Sequence, residues 1–218
     1  MSVGPRTAGS SGPLPISSLS KPNCAAKAFS PRDHAGDDHG DLDEVRIFRA
    51  LADHEVAFVV VGGSAAILWG ARRATRDVDC VAESSVENHR RLCDALRQMG
   101  NPRLRIEGVD DAPAVELSKQ LLHPDFFART AASTWRTDSG SVDILSDIPA
   151  ADGRPMHYLE LRARASFAPT SELRIPVASL DDVIESKTHA NRAKDRDALP
   201  ELLELRRRSH GPRSEGWQ

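Results

Sequence analysis

Apolar positions recur along this chain with two periods, and the switches between them mark out its elements. From Asp41, DLDEVRIFRALADHE repeats Leu42, Val45, Phe48, Leu51 and Ala52 at helical spacing behind an acidic first turn, which predicts an amphipathic helix. VAFVVVGG follows, short, β-branched and closed by glycines, as expected of a strand buried on both faces. The small residues from Ser64 to Gly70 predict a short helix opening at the Gly-Gly turn. ATRDVDCVA alternates and is β-rich, so a second strand is expected there. SVENHRRLCDALRQMG predicts a helix with Ser85 as its cap, Val86, Leu92, Leu96 and Met99 as its apolar positions, and Gly100 as its end.

Farther on, DFFARTA and GSVDILS predict strands, RPMHYLELRARA a weakly patterned helix, and VELSKQLLH has no decisive period. Ser179 and Asp182 make a capping-box start for SLDDVIESKTHAN. KDRDALPELLELRRR supplies a second helical piece, in which Pro200 marks a kink or a new first turn. Strands interleaved with helices and followed by a helical tail predict an α/β (α+β) domain with a mixed sheet, flanking helices and a C-terminal helical segment. The domain is expected over residues 41–208, with its core at 41–150 and the helical portion at 178–208. Residues 1–40 are rich in Gly, Pro, Ser and Ala, with few large apolar side chains to offset the entropy of ordering, and read as a disordered tail. A start codon assigned too far upstream would also account for them. Residues 209–218 read as a second disordered tail.

Composition narrows the classes. A chain of 218 residues has room for one ordinary domain. Its 29 Lys and Arg against 32 Asp and Glu give a formal net charge of −3, so any contact with nucleic acid must be local rather than a general attraction for polyanions. Cys24, Cys80 and Cys93 form an odd set without metal-like spacing, which fits free thiols in the reducing cytoplasm. No apolar run is long enough to span a bilayer and the N-terminus lacks a signal-peptide segment, so no membrane partner is expected.

The chemistry centres on Asp77 and Asp79. Three D-x-D triplets occur, and two have ordinary explanations: Asp41/Asp43 opens a helix in a way that complements its dipole, and Asp195/Asp197 reads as part of a solvated helix face. Asp77 and Asp79 sit instead among Val78, Cys80 and Val81 in a strand, where aspartate is disfavoured. Residues two apart on a strand share a face at about 6.5 to 7 Å. Two such carboxylates repel each other unless a positive group lies between them, and oxygen-only ligands suit Mg²⁺ or Mn²⁺. The competing account is an ion-pair cluster with Arg72, Arg73 and Arg76. Upstream, Gly62-Gly63-Ser64 leaves a strand and opens a helix, where backbone N–H groups and a hydroxyl could meet a phosphate; it is neither a P-loop nor a G-x-G-x-x-G fingerprint.

These residues together resemble a family. VVVGGSAAILWGARRATRDVDCV is similar to the signature of the nucleotidyltransferase superfamily with the DNA polymerase beta-like fold, with Gly63, Ser64, Asp77, Val78, Asp79 and Cys80 at the motif positions. Within it the chain most resembles small prokaryotic members that include abortive-infection nucleotidyltransferase toxins, through Gly70, Arg73, Thr75, Asp77 and Asp79. The late segment is similar too, in Lys187 and in Arg192, Lys194 and Asp195. The resemblance covers about residues 42–206. It implies a third carboxylate on a neighbouring strand, for which Asp143 in GSVDILS is the candidate.

The resemblance further implies transfer of a nucleoside monophosphate from NTP to an acceptor, with release of pyrophosphate. Asp77, Asp79 and Asp143 are the expected catalytic and metal-binding residues, and Gly63, Ser64, Arg73, Thr75 and Lys187 the expected nucleotide-binding residues. Lys187 falls on the apolar stripe of Leu180, Val183 and Ile184, where snorkelling to the surface is the ordinary fate and contact with triphosphate the functional one. The implied partners are an NTP, an acceptor that is RNA or tRNA, a protein or a small molecule, and a cognate antitoxin. Two other readings stay open: a catalytically inactive binding or regulatory protein on the same fold, and a D-x-D glycosyltransferase.

Overall fold

The computed structural model describes Met1 and residues 42–106, 111–170 and 173–210. The expected N-terminal tail, Met1 apart, and residues 211–218 lie outside the described residues.

Helix α1 (Glu44–Asp53) is capped by Asp43, whose carboxylate accepts from the Arg46 N–H. Its buried stripe is Ile47, Phe48, Ala50 and Leu51. Val45, expected on that stripe, is 37 % exposed, because the helix starts at Glu44 and its apolar face is turned accordingly. The chain continues as β1 (Phe58–Val60), α2 (Gly62–Leu68), β2 (Asp77–Ala82) and α3 (Val86–Gln98), in the expected order. Ser85 caps α3 by accepting from the Asn88 N–H. Cys80 and Cys93 are free and buried, and Cys24 lies outside the described residues.

The middle of the chain departs from expectation. β3 (Arg103–Leu104) and α4 (Asp111–Leu121) precede α5 (Pro124–Arg129), which occupies most of the segment expected to be a strand, DFFARTA. His123 caps α5 through Nδ1, which accepts from the Asp125 N–H, and Pro124 stands at its first position. The Phe126 and Phe127 rings pack at 5.8 Å from the Trp135 ring, so tertiary contact decides the conformation of an aromatic run with strand propensity. β4 (Ala132–Thr137) and β5 (Gly140–Leu145) form a hairpin, and β6 (Asp147–Pro149) pairs with β7 (Pro155–His157). RPMHYLELRARA therefore divides into β7 and a short helix α6 (Tyr158–Arg164). β8 (Ser166–Thr170), β9 (Leu173–Val177), α7 (Leu180–Ala190) and α8 (Ala193–His210) complete the chain. Ser179 caps α7 by accepting from the Asp182 N–H, and α8 runs through Pro200 to His210, two residues past the expected boundary at 208.

Seven strands form one mixed sheet in the order β3, β4, β5, β2, β1, β9, β8. β2 and β5 are parallel and β1 and β2 antiparallel, so the strands carrying the aspartates lie at the centre. Register divides the faces. Trp135, Val142 and Val78 are ladder partners and wholly buried, on the face covered by α5 and its neighbours α1 and α3. The next row, one residue along each strand, is Thr134, Asp143 and Asp79, which strand pleating places on the opposite face. The hydrophobic pattern that buries one side thus delivers the carboxylates to the other.

Candidate active site

Asp79 and Asp143 are direct partners across β2 and β5, and Asp77 shares their face two residues before Asp79. Gly62, at φ +62°, turns the chain out of β1 directly over Asp79; a Cβ there would lie 2.2 Å from Asp79 Oδ2, which no side chain could occupy. The next N–H, from Gly63, donates to Asp79 Oδ2 at 3.0 Å. The glycine pair therefore lets a backbone donor rest on a carboxylate. A Cβ on Gly63 would come 2.8 Å from Thr75 Oγ1.

Thr75 and Ser64 act on the same strand end. Thr75 Oγ1 lies 3.1 Å from both Asp77 Oδ1 and the Asp77 carbonyl. Ser64 is fully buried, and its hydroxyl donates to the Asp77 carbonyl at 3.0 Å, with Glu44 Oε1 at 3.4 Å. The Ser64 hydroxyl thus bonds to β2 and the start of α1. Arg73 is placed elsewhere, since its guanidinium donates to the Asp197 carbonyl and its Nε lies 3.9 Å from Glu201. The Arg72 N–H donates to the same Glu201 carboxylate. Among the described residues, Arg72, Arg73 and Arg76 make no ion pair with Asp77 or Asp79, which removes the arginine-cluster account of those acids.

The charges in the site are unbalanced. Burial, then repulsion from Asp77, pushes the Asp79 carboxyl up to about 6; the Gly63 N–H opposes the rise, Asp143 adds to it, and Lys187 draws it back. Asp143 is also raised, first by burial, against a hydrogen bond from Thr134. Its Oδ1 is buried and has no hydrogen-bond partner among the described residues. Buried carboxylate oxygens seldom go unsatisfied. Among the described residues no three His, Cys, Asp or Glu side chains come together closely enough to hold a metal ion by themselves, so a cation here would need further oxygen ligands from substrate or water.

The helical end faces this site. Lys187 on α7 and Arg192 in the turn after it both interact electrostatically with Asp79, and Lys194 with Asp143. Lys187 is anchored by Asp195, with Nζ 3.4 Å from Oδ1, while Arg192 Nε approaches Asp195 Oδ2 to 2.6 Å. Asp195, expected on a solvated face, is fully buried. A carboxylate buried at 0 % exposure needs cationic partners, and the spacing of Lys187 and Arg192 around it was the sequence signal that would have found it. Glu44 and Thr134 were also missed, the first because an acid in a first helical turn has a sufficient reason in the helix dipole.

The sequence profile of the family described as "Nucleotidyl transferase AbiEii toxin, Type IV TA system" matches residues 46–199. No curated protein is a significant match. Among solved structures, the lincosamide antibiotic adenylyltransferase LnuA, bound to lincomycin, is similar at 13 % identity with a TM-score of 0.50, covering 76 % of this chain and 99 % of that one. A Thermotoga maritima protein described as a nucleotidyltransferase, TM1012, is 18 % identical with a TM-score of 0.45, covering 74 % of this chain and 90 % of that one. ANT(2″)-Ia in complex with adenylyl-2″-tobramycin is 15 % identical with a TM-score of 0.46, covering 77 % and 87 %. At such identities the LnuA likeness establishes a nucleotidyltransferase-like fold. The family profile, which spans well over half of the chain, goes further, and by it this protein belongs to the AbiEii nucleotidyltransferase toxin family of type IV toxin–antitoxin systems.

Proposed function

We propose that the protein transfers a nucleoside monophosphate from an NTP to a hydroxyl on an acceptor, at the face formed by Asp77, Asp79 and Asp143. The observation that carries this reading is the Asp79 and Asp143 pair, two raised carboxyls in direct register, one of them with a buried oxygen that none of the described residues satisfies. An all-oxygen donor set that is short of positive charge fits Mg²⁺ or Mn²⁺. Asp77, Asp79 and Asp143 would hold it, and when bound it would neutralise charge on the phosphoryl oxygens and the leaving pyrophosphate.

The chain's own groups do the rest. Gly62 and Gly63 admit the triphosphate close to Asp79, while the Gly63 N–H fixes the Asp79 carboxylate and the Ser64 and Thr75 hydroxyls fix the end of β2 that carries Asp77. Asp143 takes the proton of the acceptor hydroxyl as its oxygen attacks the α-phosphorus, and the bond from that phosphorus to the β-phosphate oxygen breaks to release pyrophosphate. Lys187, held by Asp195 at the longer of the two contacts, turns its ammonium to the triphosphate. Arg73 contributes indirectly by tying the segment before β2 to α8. Membership in a toxin family of type IV systems implies an NTP and a cognate antitoxin as partners. Among the described residues no helix is long and apolar enough to cross a membrane.

Incubation with each α-labelled NTP, Mg²⁺ or Mn²⁺ and RNA, protein and small-molecule acceptors tests the reading. Label should transfer with the wild type and fall by about a hundredfold or more with Asp77→Ala. Equal transfer by both proteins would remove the carboxylates from the mechanism, and transfer by neither would leave an inactive binding protein as the better account.

A further inference from the structure

The face that carries the three aspartates continues onto β4 and β3, where its charge reverses. Across the ladders Asp77 is followed by Ser141, Arg136 and Arg103. In the next row Asp79 is followed by Asp143 and Thr134, and Thr134 accepts at 2.8 Å from the N–H of Arg105, just past β3. Strands lie about 4.8 Å apart, so roughly 10 Å of backbone separates Asp143 from Arg105, most of which a guanidinium on its long stem can close. Arg105 already acts electrostatically on Asp143. Arg103 and Arg105 are both exposed, and neither makes an ion pair or side-chain hydrogen bond among the described residues.

A cavity of about 380 Å³ is bordered by Arg105, Thr134 and Asp143 and lined also by Ile106, Phe126 and Leu145. Its size is that of a small-molecule subsite. Its position matters as much. The sheet order puts the Gly62-Gly63 turn, at the end of β1, on one side of Asp79, and the cavity, beyond β5, on the other. Displacement at phosphorus needs its nucleophile and leaving group on opposite sides, so a triphosphate lying at the glycines leaves the arginine side for the acceptor.

We propose that this cavity is the acceptor subsite and that it selects acceptors carrying a phosphate group, gripped by Arg105, while the acceptor hydroxyl lies at Asp143. The inference rests on the nucleotidyl-transfer reading above. A guanidinium presents two parallel N–H donors that match phosphate oxygens, and the same charges repel a cationic acceptor. A nucleic-acid end and a small sugar phosphate share this chemistry.

Fluorescence anisotropy of a labelled ribo-oligonucleotide with a free 3′ hydroxyl, in the presence of Mg²⁺ and a non-hydrolysable NTP, tests it, with ribose 5-phosphate and a cationic aminosugar as competitors. Arg105→Ala should weaken the phosphate-bearing probe by about tenfold or more and leave NTP affinity within about twofold, and Arg105→Lys should recover part of the loss. Arg105 is exposed at the sheet edge, so these variants leave the core intact. Effective competition by ribose 5-phosphate assigns a small phosphorylated acceptor, and binding of the oligonucleotide alone assigns a nucleic-acid end; both support phosphate selection. Failure of both phosphate probes to bind, equal competition by the aminosugar, or an unchanged dissociation constant in Arg105→Ala would overturn it. The transfer reading has its own readout in the same assay: it fails if Asp77→Ala binds Mg²⁺ and NTP as tightly as the wild type.

Discussion

Gly62 is the position where one atom decides the site. Its φ of +62° and the 2.2 Å approach of a notional Cβ to Asp79 Oδ2 leave no room for alanine without moving the carboxylate or the turn. Gly62→Ala should cost about 1 to 3 kcal/mol of stability, a fall of several degrees in Tm for a domain of this size, and should lower nucleotidyl transfer about a hundredfold. A calorimetric scan beside the label-transfer assay checks both, and an active alanine variant would show that the turn does not press on Asp79. The Asp79 carboxyl makes a second prediction. Raised by folding from 3.8 to about 6, it holds its proton more tightly in the folded than in the unfolded chain. In chelator, the wild type should therefore lose on the order of 2 to 3 kcal/mol relative to Asp79→Asn as pH climbs from about 4 to about 7. Urea titrations across that range measure the difference, and a gap that does not change with pH would contradict the burial argument.

At the level of elements, the strand carrying Asp77 and Asp79 was legible in DVDCVA, whereas Asp143 on a neighbouring strand came from the resemblance; the apolar, Asp, apolar pattern in both DVDCVA and GSVDIL sends the acids away from the buried face together. Other elements were less legible, for identifiable reasons. In β4 the polar Ser133 and Thr134 obscure the alternation around the buried Trp135; β8 contains Pro169, which argues against a strand until its edge position is known, and β9 contains Pro176, which argues against a strand on any sequence reading. The aromatic run of α5 reads as a strand because only Trp135, distant in sequence from neither ring but unpredictable in space, makes a helix the better way to bury it. The α7 to α8 junction hid its logic too, since Asp195 looks like any helical acid until Lys187 and Arg192 close on it. Asp195→Ala should destabilise the fold by about 3 kcal/mol or more, by leaving the largely buried Lys187 without its anion, and should raise the KM for NTP. Denaturant unfolding and steady-state kinetics read these separately; a variant as stable as the wild type would place that network outside the structural core.

Over the whole molecule, a single seven-stranded sheet separates two tasks. One face is filled by Trp135, Val142, Val78 and the helices over them, and the other carries acids at its centre with arginines toward one edge. The net charge of −3 conceals this polarity, because composition averages the central acids with the edge arginines, which only the ladder order places along the same rows. The chain's motif residues identified the centre, while the edge arginines had no motif to announce them. The central claim is that Asp77, Asp79 and Asp143 together hold a divalent cation with the NTP. Titration of Mn²⁺ followed by its electron paramagnetic resonance signal, with a non-hydrolysable NTP present, tests this most directly. The wild type should take up Mn²⁺ stoichiometrically, and Asp79→Asn and Asp143→Asn should each weaken uptake by about tenfold or more with the circular dichroism spectrum unchanged. Equal Mn²⁺ affinity in wild type and both variants would contradict it.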